Sequence, residues 1–146
     1  MYRIILLIHV LGATIWTGGH LVLALRILPV VLRERSAAML LGFEQRFEAL
    51  GMTALVMQVV TGLWLAQHLV PVSMWFTLGN PISRMLAIKW TCLILTIAFA
   101  LDARFRVLPR LRDDNVQTMV PHITAVTTFS VLFVFAGVGI RTGGWS

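Results

Sequence analysis

The stretch that decides the fold is residues 4–28, IILLIHVLGATIWTGGHLVLALRIL, in which no formal charge appears before Arg26. A hydrocarbon core about 30 Å thick needs roughly 20 apolar helical residues that rise 1.5 Å each. The stretch is therefore predicted to be a transmembrane helix. It carries two histidines, His9 and His20. Ionisable side chains within a membrane are costly, so both are candidate functional residues.

The composition extends this prediction to the whole chain of 146 residues, of which 58% are hydrophobic and 12% are charged. A soluble domain would carry about 25% charged residues, so an integral membrane protein is expected, with one domain over residues 1–146. No cleavable signal peptide is evident. The single cysteine, Cys92, excludes an internal disulfide and a multi-cysteine metal site. The net charge of +6 does not indicate nucleic-acid binding, because the arginines stand at the ends of apolar segments.

Four spans are predicted, at about residues 4–28, 47–70, 85–103 and 118–140, which makes an all-α, four-helix membrane bundle. The first loop is expected to prolong its flanking helices, and no internal repeat is evident. Arginines concentrate in loops one and three, so these loops are predicted to be cytoplasmic. The prediction is a multi-pass protein of the bacterial inner membrane with both termini outside. The arginines of these two loops are Arg33, Arg35, Arg46, Arg104, Arg106, Arg110 and Arg112.

The four histidines fall at two predicted depths. His9 and His20 are eleven residues apart, nearly three turns, so they share a helix face about 16 Å apart along the axis. His68 is expected at the outer end of span two, and His122 at the inner end of span four. The sequence therefore predicts an outer pair, His9 with His68, and an inner pair, His20 with His122. The simpler interpretation, in which each histidine only hydrogen-bonds a neighbouring helix, stays open.

Two facing histidines at one depth are suited to a b-type haem, which takes axial imidazoles from neighbouring helices. Two bis-histidine haems would make a cytochrome-b-like protein that transfers electrons across the membrane, with a quinol or a periplasmic redox protein as partner. The chain lacks a CxxCH motif, so the haem would be non-covalent. The small and aromatic residues Gly12 and Trp16 lie on the same face. The predicted partners of the haem propionates are Lys89, Arg84, Arg3 and Arg26.

Copper is the competing ligand, because imidazole and thioether groups both bind it and soft ligands select Cu(I). Met52, Met57 and Cys92 are available, although the two methionines fall on different helix faces. Zinc is less favoured, since no carboxylate is expected deep in a span. Lys89, the only lysine, is expected level with His9, pointing into the bundle towards an anion or polar ligand group.

Three segments carry a resemblance to a known family: IHVLGATIWTGGHLVLALRILP (8–29), RFEALGMTALVMQVVTGL (46–63) and RMLAIKWTCLILTIAFALDARFRVLPRL (84–111). In this order they resemble the copper-resistance D (CopD) family. The resemblance implies copper uptake or resistance across the inner membrane. CopD proteins look related to the HemJ-type protoporphyrinogen oxidases, which use a span-one histidine and a span-three lysine at haem b, and His9 and Lys89 match these. A haem-dependent membrane oxidoreductase is thus a third expectation, and a homodimer is left open.

Overall fold

The computed structural model describes residues 1–143, and in this part of the chain four helices are long and apolar enough to cross a membrane. The structure confirms the predicted all-α bundle. The helices are α1 (Tyr2–Glu34), α2 (Ala37–Leu69), α3 (Pro81–Arg110) and α4 (Val116–Arg141). The end of the bundle where α1 begins and α4 ends is called the termini side, and the opposite end is called the far side.

The helices are longer than the predicted spans. The first loop does prolong its neighbours, because only Arg35 and Ser36 interrupt the helix: Arg35 takes a left-handed φ of 49°, and the Ser36 side chain caps α2 by accepting a hydrogen bond from the Met39 amide. The third loop was expected from about residue 104. Instead α3 continues to Arg110, because Pro109 falls in the first turn of a helical segment, where its missing N–H is tolerated.

The four helices form two antiparallel hairpins, α1 with α2 and α3 with α4. The α1 and α4 helices pack together and join the hairpins, whereas α2 and α3 approach each other less closely. Near the termini side, α2 and α3 are linked by an apolar cluster that includes Ala66, Leu86 and Trp75. A space therefore remains between the hairpins.

The two hairpins share features at equivalent positions, called the repeat below, which the sequence analysis did not detect. The motif Arg-Ile-Leu-Pro at residues 26–29 recurs 80 residues later as Arg-Val-Leu-Pro at 106–109. Each motif overlaps a π turn, Leu23–Ile27 in α1 and Ala103–Val107 in α3. A proline ring clashes with the carbonyl four residues earlier, and a widened turn at that point relieves the clash.

Interhelical packing follows the same repeat. A Cβ atom on Gly19 would overlap the ring of Phe47, so the first hairpin packs an aromatic ring against position 19. In the second hairpin Phe99, 80 residues after Gly19, meets the ring of His122 edge-on with centroids 5.7 Å apart. His122 follows Phe47 by 75 residues, so both hairpins keep one register. Apart from the Arg-Ile/Val-Leu-Pro motif, most amino-acid types at the equivalent positions differ, so the sequence alone did not indicate the repeat.

The far side of the bundle is filled by a continuous apolar cluster to which all four helices contribute. It contains residues of both π turns, Leu23 and Ala103, and these are again 80 positions apart. The space between the hairpins is therefore closed towards the far side. The buried residues of the cluster are Leu23, Leu28, Val31, Ala37, Leu40, Ala103, Val116, Met119 and Ile123.

Candidate functional site

A cavity of about 600 Å³ lies between the two hairpins in the half of the bundle nearer the termini side. This volume is within the range of roughly 300–1,000 Å³ found for small-molecule sites. The lining is mainly apolar and comes from all four helices. Its most polar residues are His9, Thr14, Thr17, Gln58, Lys89 and Arg141.

His9 enters this cavity from α1 with its ring held in one orientation. Its Nδ1 lies 2.8 Å from the Thr61 hydroxyl, and that hydroxyl donates to the Met57 carbonyl at 2.6 Å. Because the hydroxyl proton is already committed, Nδ1 of His9 must donate its own proton to Thr61. The lone pair of a neutral His9 ring is therefore on Nε2, the atom that can bind a metal. Gly62 permits the approach, since a Cβ there would lie 3.2 Å from Cε1 of His9.

Lys89 faces the same cavity from α3. In the repeat it is the counterpart of His9, 80 residues later, and each packs against a glycine of its own hairpin: Gly62 for His9 and Gly137 for Lys89. Both side chains line the cavity. This placement agrees with the prediction that Lys89 points into the bundle at the level of His9.

The charge on the cavity wall is entirely positive. Lys89 has no hydrogen-bond or ion-pair partner within residues 1–143. Arg141 follows Gly137, the glycine next to Lys89, by one helical turn and lines the end of the cavity nearer the termini side. No carboxylate of the described chain lines the cavity. The three ion pairs between arginines and carboxylates within residues 1–143 join Arg33 to Glu34, Arg104 to Glu48 and Arg106 to Asp102. The site is thus an apolar cavity with one neutral imidazole and two cations.

The structure does not bring His68 to His9 as predicted. His68 is exposed, its ring stacks on Trp64 with centroids 3.8 Å apart, and its Nδ1 donates to the Trp64 carbonyl. The residue of α2 that meets His9 is Thr61, seven positions before His68. Seven residues of helix span about 10 Å, so His68 lies well towards the termini side of the His9 level.

The predicted inner pair is also separated. Thr127 of α4 donates to the carbonyl of His20 at 3.3 Å, which sets the level of His20, and His122 lies five residues from Thr127 towards the far side. The ring of His20 packs between Trp16 and Phe47. His122 instead pairs with Asp102, at 2.7 Å from Nε2, and its Nδ1 donates to the Thr118 carbonyl at 3.2 Å. Both ring nitrogens of His122 are therefore already hydrogen-bonded, and its Nε2 is not free for iron.

The remaining predicted site residues, Gly12, Trp16 and Arg84, lie outside the cavity lining. Gly12 is buried against α2, where a Cβ would lie 3.0 Å from the Cγ of Gln58. Trp16 is buried beside His20, and Arg84 is exposed outside the cavity lining. Within residues 1–143 no three or more His, Cys, Asp or Glu side chains are grouped so that they could hold a metal. Gln58, Gly137 and Arg141 also line the cavity and were not among the predicted site residues.

The fold and cavity define a polytopic membrane protein with its candidate site between two repeated hairpins. The family model for copper resistance protein D matches residues 41–141, more than half of the chain. The chain therefore belongs to the CopD family, which associates it with copper and with the inner membrane. No curated protein and no solved structure gave a significant match.

Proposed function

We propose that this protein transports copper through the inner membrane and binds Cu(I) at His9 in the cavity between its hairpins. Membership of the CopD family supports copper as the cargo. The positive-inside rule, applied to the arginine-rich far side, supports an orientation with both termini outside, so that the cavity would open outwards.

The observation that carries the proposal is the hydrogen-bond chain from His9 through Thr61 to the Met57 carbonyl. A metal-binding histidine almost always donates its other ring N–H to an oxygen, which fixes the tautomer and orients the ring. His9 has this arrangement and lines a cavity. Cu(I) accepts low coordination numbers, so the absence of a larger ligand cluster among residues 1–143 does not conflict with it.

The hairpin repeat supports transport rather than storage. In several transporter families, parallel repeats are related by an axis along the membrane normal, and the substrate site lies at the repeat interface. Here the cavity lies between the repeats and the apolar far-side cluster closes it. Rocking of the hairpins about the cavity would open the far side and release copper there.

An anaerobic Cu(I) competition titration of the purified protein tests the proposal. The wild type should remove about one Cu(I) per chain from a chromogenic chelator, and His9→Asn should abolish this. His68→Asn is the matched control, because His68 is a histidine of a membrane-spanning helix that does not line the cavity. Equal copper binding by the wild type and His9→Asn would contradict the proposed site.

A b-type haem is the second candidate, and the size of the cavity and its two cations favour it. His9 could bind the iron while Lys89 and Arg141 paired with the propionates. Electron transfer to a quinol or periplasmic partner, or porphyrinogen oxidation, would then follow. The two bis-histidine sites are not assembled in the structure, so any haem would use His9 without His68. A Soret band in the purified protein that disappears in His9→Asn would support this candidate over copper.

A further inference from the structure

We propose that the cavity binds a free fatty acid, a single hydrocarbon chain with one carboxylate, which enters from the lipid bilayer between α1 and α4 and places its carboxylate at Lys89. This is a second use of the cavity, and it does not depend on copper binding. It follows from the position of the opening, the charge of the wall and the length of the apolar part of the cavity.

The cavity has an opening on its side, towards the membrane lipid. Every exposed residue of its described lining belongs to α1 or α4, whereas the lining residues of α2 and α3 are buried or half-buried. Hydrogen bonds from Thr17 to the Ser130 carbonyl and from Thr127 to the His20 carbonyl join α1 to α4 nearer the far side than this opening. A ligand can therefore reach the cavity from the hydrocarbon part of the bilayer. The exposed lining residues are Val10, Thr14, Val134, Val138 and Arg141.

Lys89 brings a positive charge to the inside of the bundle that no described residue neutralises. Its Nζ lies beside Gly137 of α4, 3.6 Å from the place of a Cβ there. A lone ammonium among apolar side chains is costly, and an anion that pairs with it offsets much of that cost. Arg141, the other charged residue of the described lining, is also a cation. The cavity is therefore complementary to an anionic group.

The apolar part of the cavity continues from Lys89 towards the far side as a channel. Gly137 sets the level of Lys89 on α4, and Ser130, seven residues earlier, sets the level of Thr17 through their hydrogen bond. Seven helical residues rise about 10 Å, and Leu21, one turn beyond Thr17, adds about 6 Å. A hydrocarbon chain that starts at Lys89 can therefore extend along the bundle axis. The apolar side chains of the channel include Leu21, Leu55, Leu93 and Phe133.

The hydroxyl groups of the channel wall are already hydrogen-bonded. Thr14 donates to the Val10 carbonyl at 2.9 Å, and Thr17 donates to the Ser130 carbonyl at 3.4 Å. A hydrocarbon chain in the channel thus leaves neither hydroxyl unpaired when it displaces water, and it adds no desolvation cost there. Gln58 lies within one turn of Thr61 on α2, which places it near the proposed carboxylate rather than along the chain.

The depth of Lys89 favours a fatty acid over a phospholipid. Lys89 lies beside Gly137, one turn further into the bundle than Arg141 at the end of the cavity. A carboxylate is small enough to reach this level between the helices. A phosphodiester would bring a glycerol group and a second chain with it, into a cavity of about 600 Å³ whose size is typical of sites for one small molecule.

The test is native mass spectrometry of the copper-free, full-length protein in detergent with added palmitic acid. We expect the wild type to retain one palmitate per chain. Lys89→Met should lower the affinity about tenfold or more, as for a lost hydrogen bond to a charged group, and Lys89→Arg should retain most of it. Arg84→Met is the matched control, because Arg84 is an exposed cation of the same helix outside the cavity lining.

A second pair of variants tests the channel without changing any charge. Gly18 lines the cavity, and a Cβ there meets nothing within 4 Å, so Gly18→Phe should fill the channel and prevent palmitate binding. Gly42 has the same free space around it but lies outside the lining, so Gly42→Phe should bind palmitate as the wild type does. Palmitate binding that is unchanged in Gly18→Phe would overturn the proposed site.

Three further outcomes would overturn the inference. Methyl palmitate retained as well as palmitate, or an equal loss in Lys89→Met and Arg84→Met, would show that the carboxylate does not bind at Lys89. Phosphatidylglycerol retained in preference to palmitate, with the same dependence on Lys89, would make an anionic phospholipid the ligand. Because copper is absent from these measurements, they leave the copper function standing, and a failed Cu(I) titration likewise leaves the fatty-acid site standing.

Discussion

At the scale of single residues, His9 is set apart by its hydrogen bond to a side-chain hydroxyl. His20 and His68 each donate Nδ1 to the backbone carbonyl four residues earlier, whereas His9 donates to Thr61 on a different helix. A ring held across a helix interface cannot turn without breaking an interhelical bond. The hydrogen bond therefore fixes the orientation of His9, the one imidazole in the described cavity lining.

Replacement of Thr61 by valine tests this role. Thr61→Val keeps the shape of the side chain but removes the acceptor for Nδ1 of His9, so we expect Cu(I) affinity to fall about 10- to 100-fold, as for other lost metal-orienting bonds. The competition titration measures this. Thr53→Val is the control, because the Thr53 hydroxyl bonds only the carbonyl of Ala49 on its own helix and Thr53 is exposed. A similar loss in both variants would show that the effect is not specific to His9.

The contact between His122 and Asp102 gives a prediction about stability rather than about copper binding. Their ion pair joins α3 to α4 near the far side, with 13% of the His122 side chain exposed and 33% of that of Asp102. We expect His122→Asn to lower the melting temperature in detergent, since Asp102 loses its hydrogen-bond partner on α4, and to leave Cu(I) binding unchanged. Arg33→Gln, which breaks an exposed pair, should shift the melting temperature less. Loss of copper or of a haem signal in His122→Asn would instead support the predicted inner histidine pair.

Of the site residues predicted from sequence, His9 and Lys89 both line the cavity, whereas the predicted histidine pairs are not brought together. His9 and Lys89 were recognised because a helix makes ionisable groups stand out among apolar neighbours. The pairs failed because hydropathy gives the rough ends of a span but not the register of one helix against the next. A shift of five to seven residues, about 7–10 Å, was enough to separate each pair.

At the scale of elements, the hairpin register is fixed by close contacts at small residues. Gly19 is the clearest case, because the ring of Phe47 occupies the space that a side chain there would need. The two π turns lie just beyond this contact in each hairpin. They let α1 and α3 pass their prolines without ending, which sequence rules for helix termination did not anticipate.

A pair of glycine-to-alanine changes tests this packing. Gly19→Ala should destabilise the protein by about 1–3 kcal/mol, the usual cost of overpacking, because Phe47 must move. Gly42→Ala should be neutral or slightly stabilising, since a Cβ there meets nothing within 4 Å and alanine favours helix. Unfolding in mixed micelles with increasing denaturing detergent measures both. Equal effects of the two changes would contradict the described α1–α2 contact.

At the scale of the whole molecule, composition and the spacing of apolar runs were sufficient to predict a four-helix membrane bundle. The correspondence between the two hairpins was not predictable in the same way, because lipid-facing positions accept any apolar residue and therefore carry little sequence pattern. The features that the two hairpins share are the Arg-Ile/Val-Leu-Pro motif and the packing register. The repeat also explains why His9 and Lys89 lie at one depth in the cavity.

Orientation in the membrane remains a prediction at this scale. The arginine-rich segments lie at the far side, so we expect that side to be cytoplasmic and both termini to be outside. A reporter that functions only in the periplasm, fused after residue 146, should be active. A reporter that functions only in the cytoplasm, fused at the same point, should be inactive, and activity of this second fusion alone would reverse the proposed direction of the cavity.

The most direct test of the central claim is the copper-edge X-ray absorption spectrum of the Cu(I)-loaded protein. The account predicts a low-coordinate Cu(I) with one imidazole nitrogen, which disappears in His9→Asn and persists in His68→Asn. Two imidazoles on copper, a coordination made only of sulfur, or an unchanged spectrum in His9→Asn would contradict it.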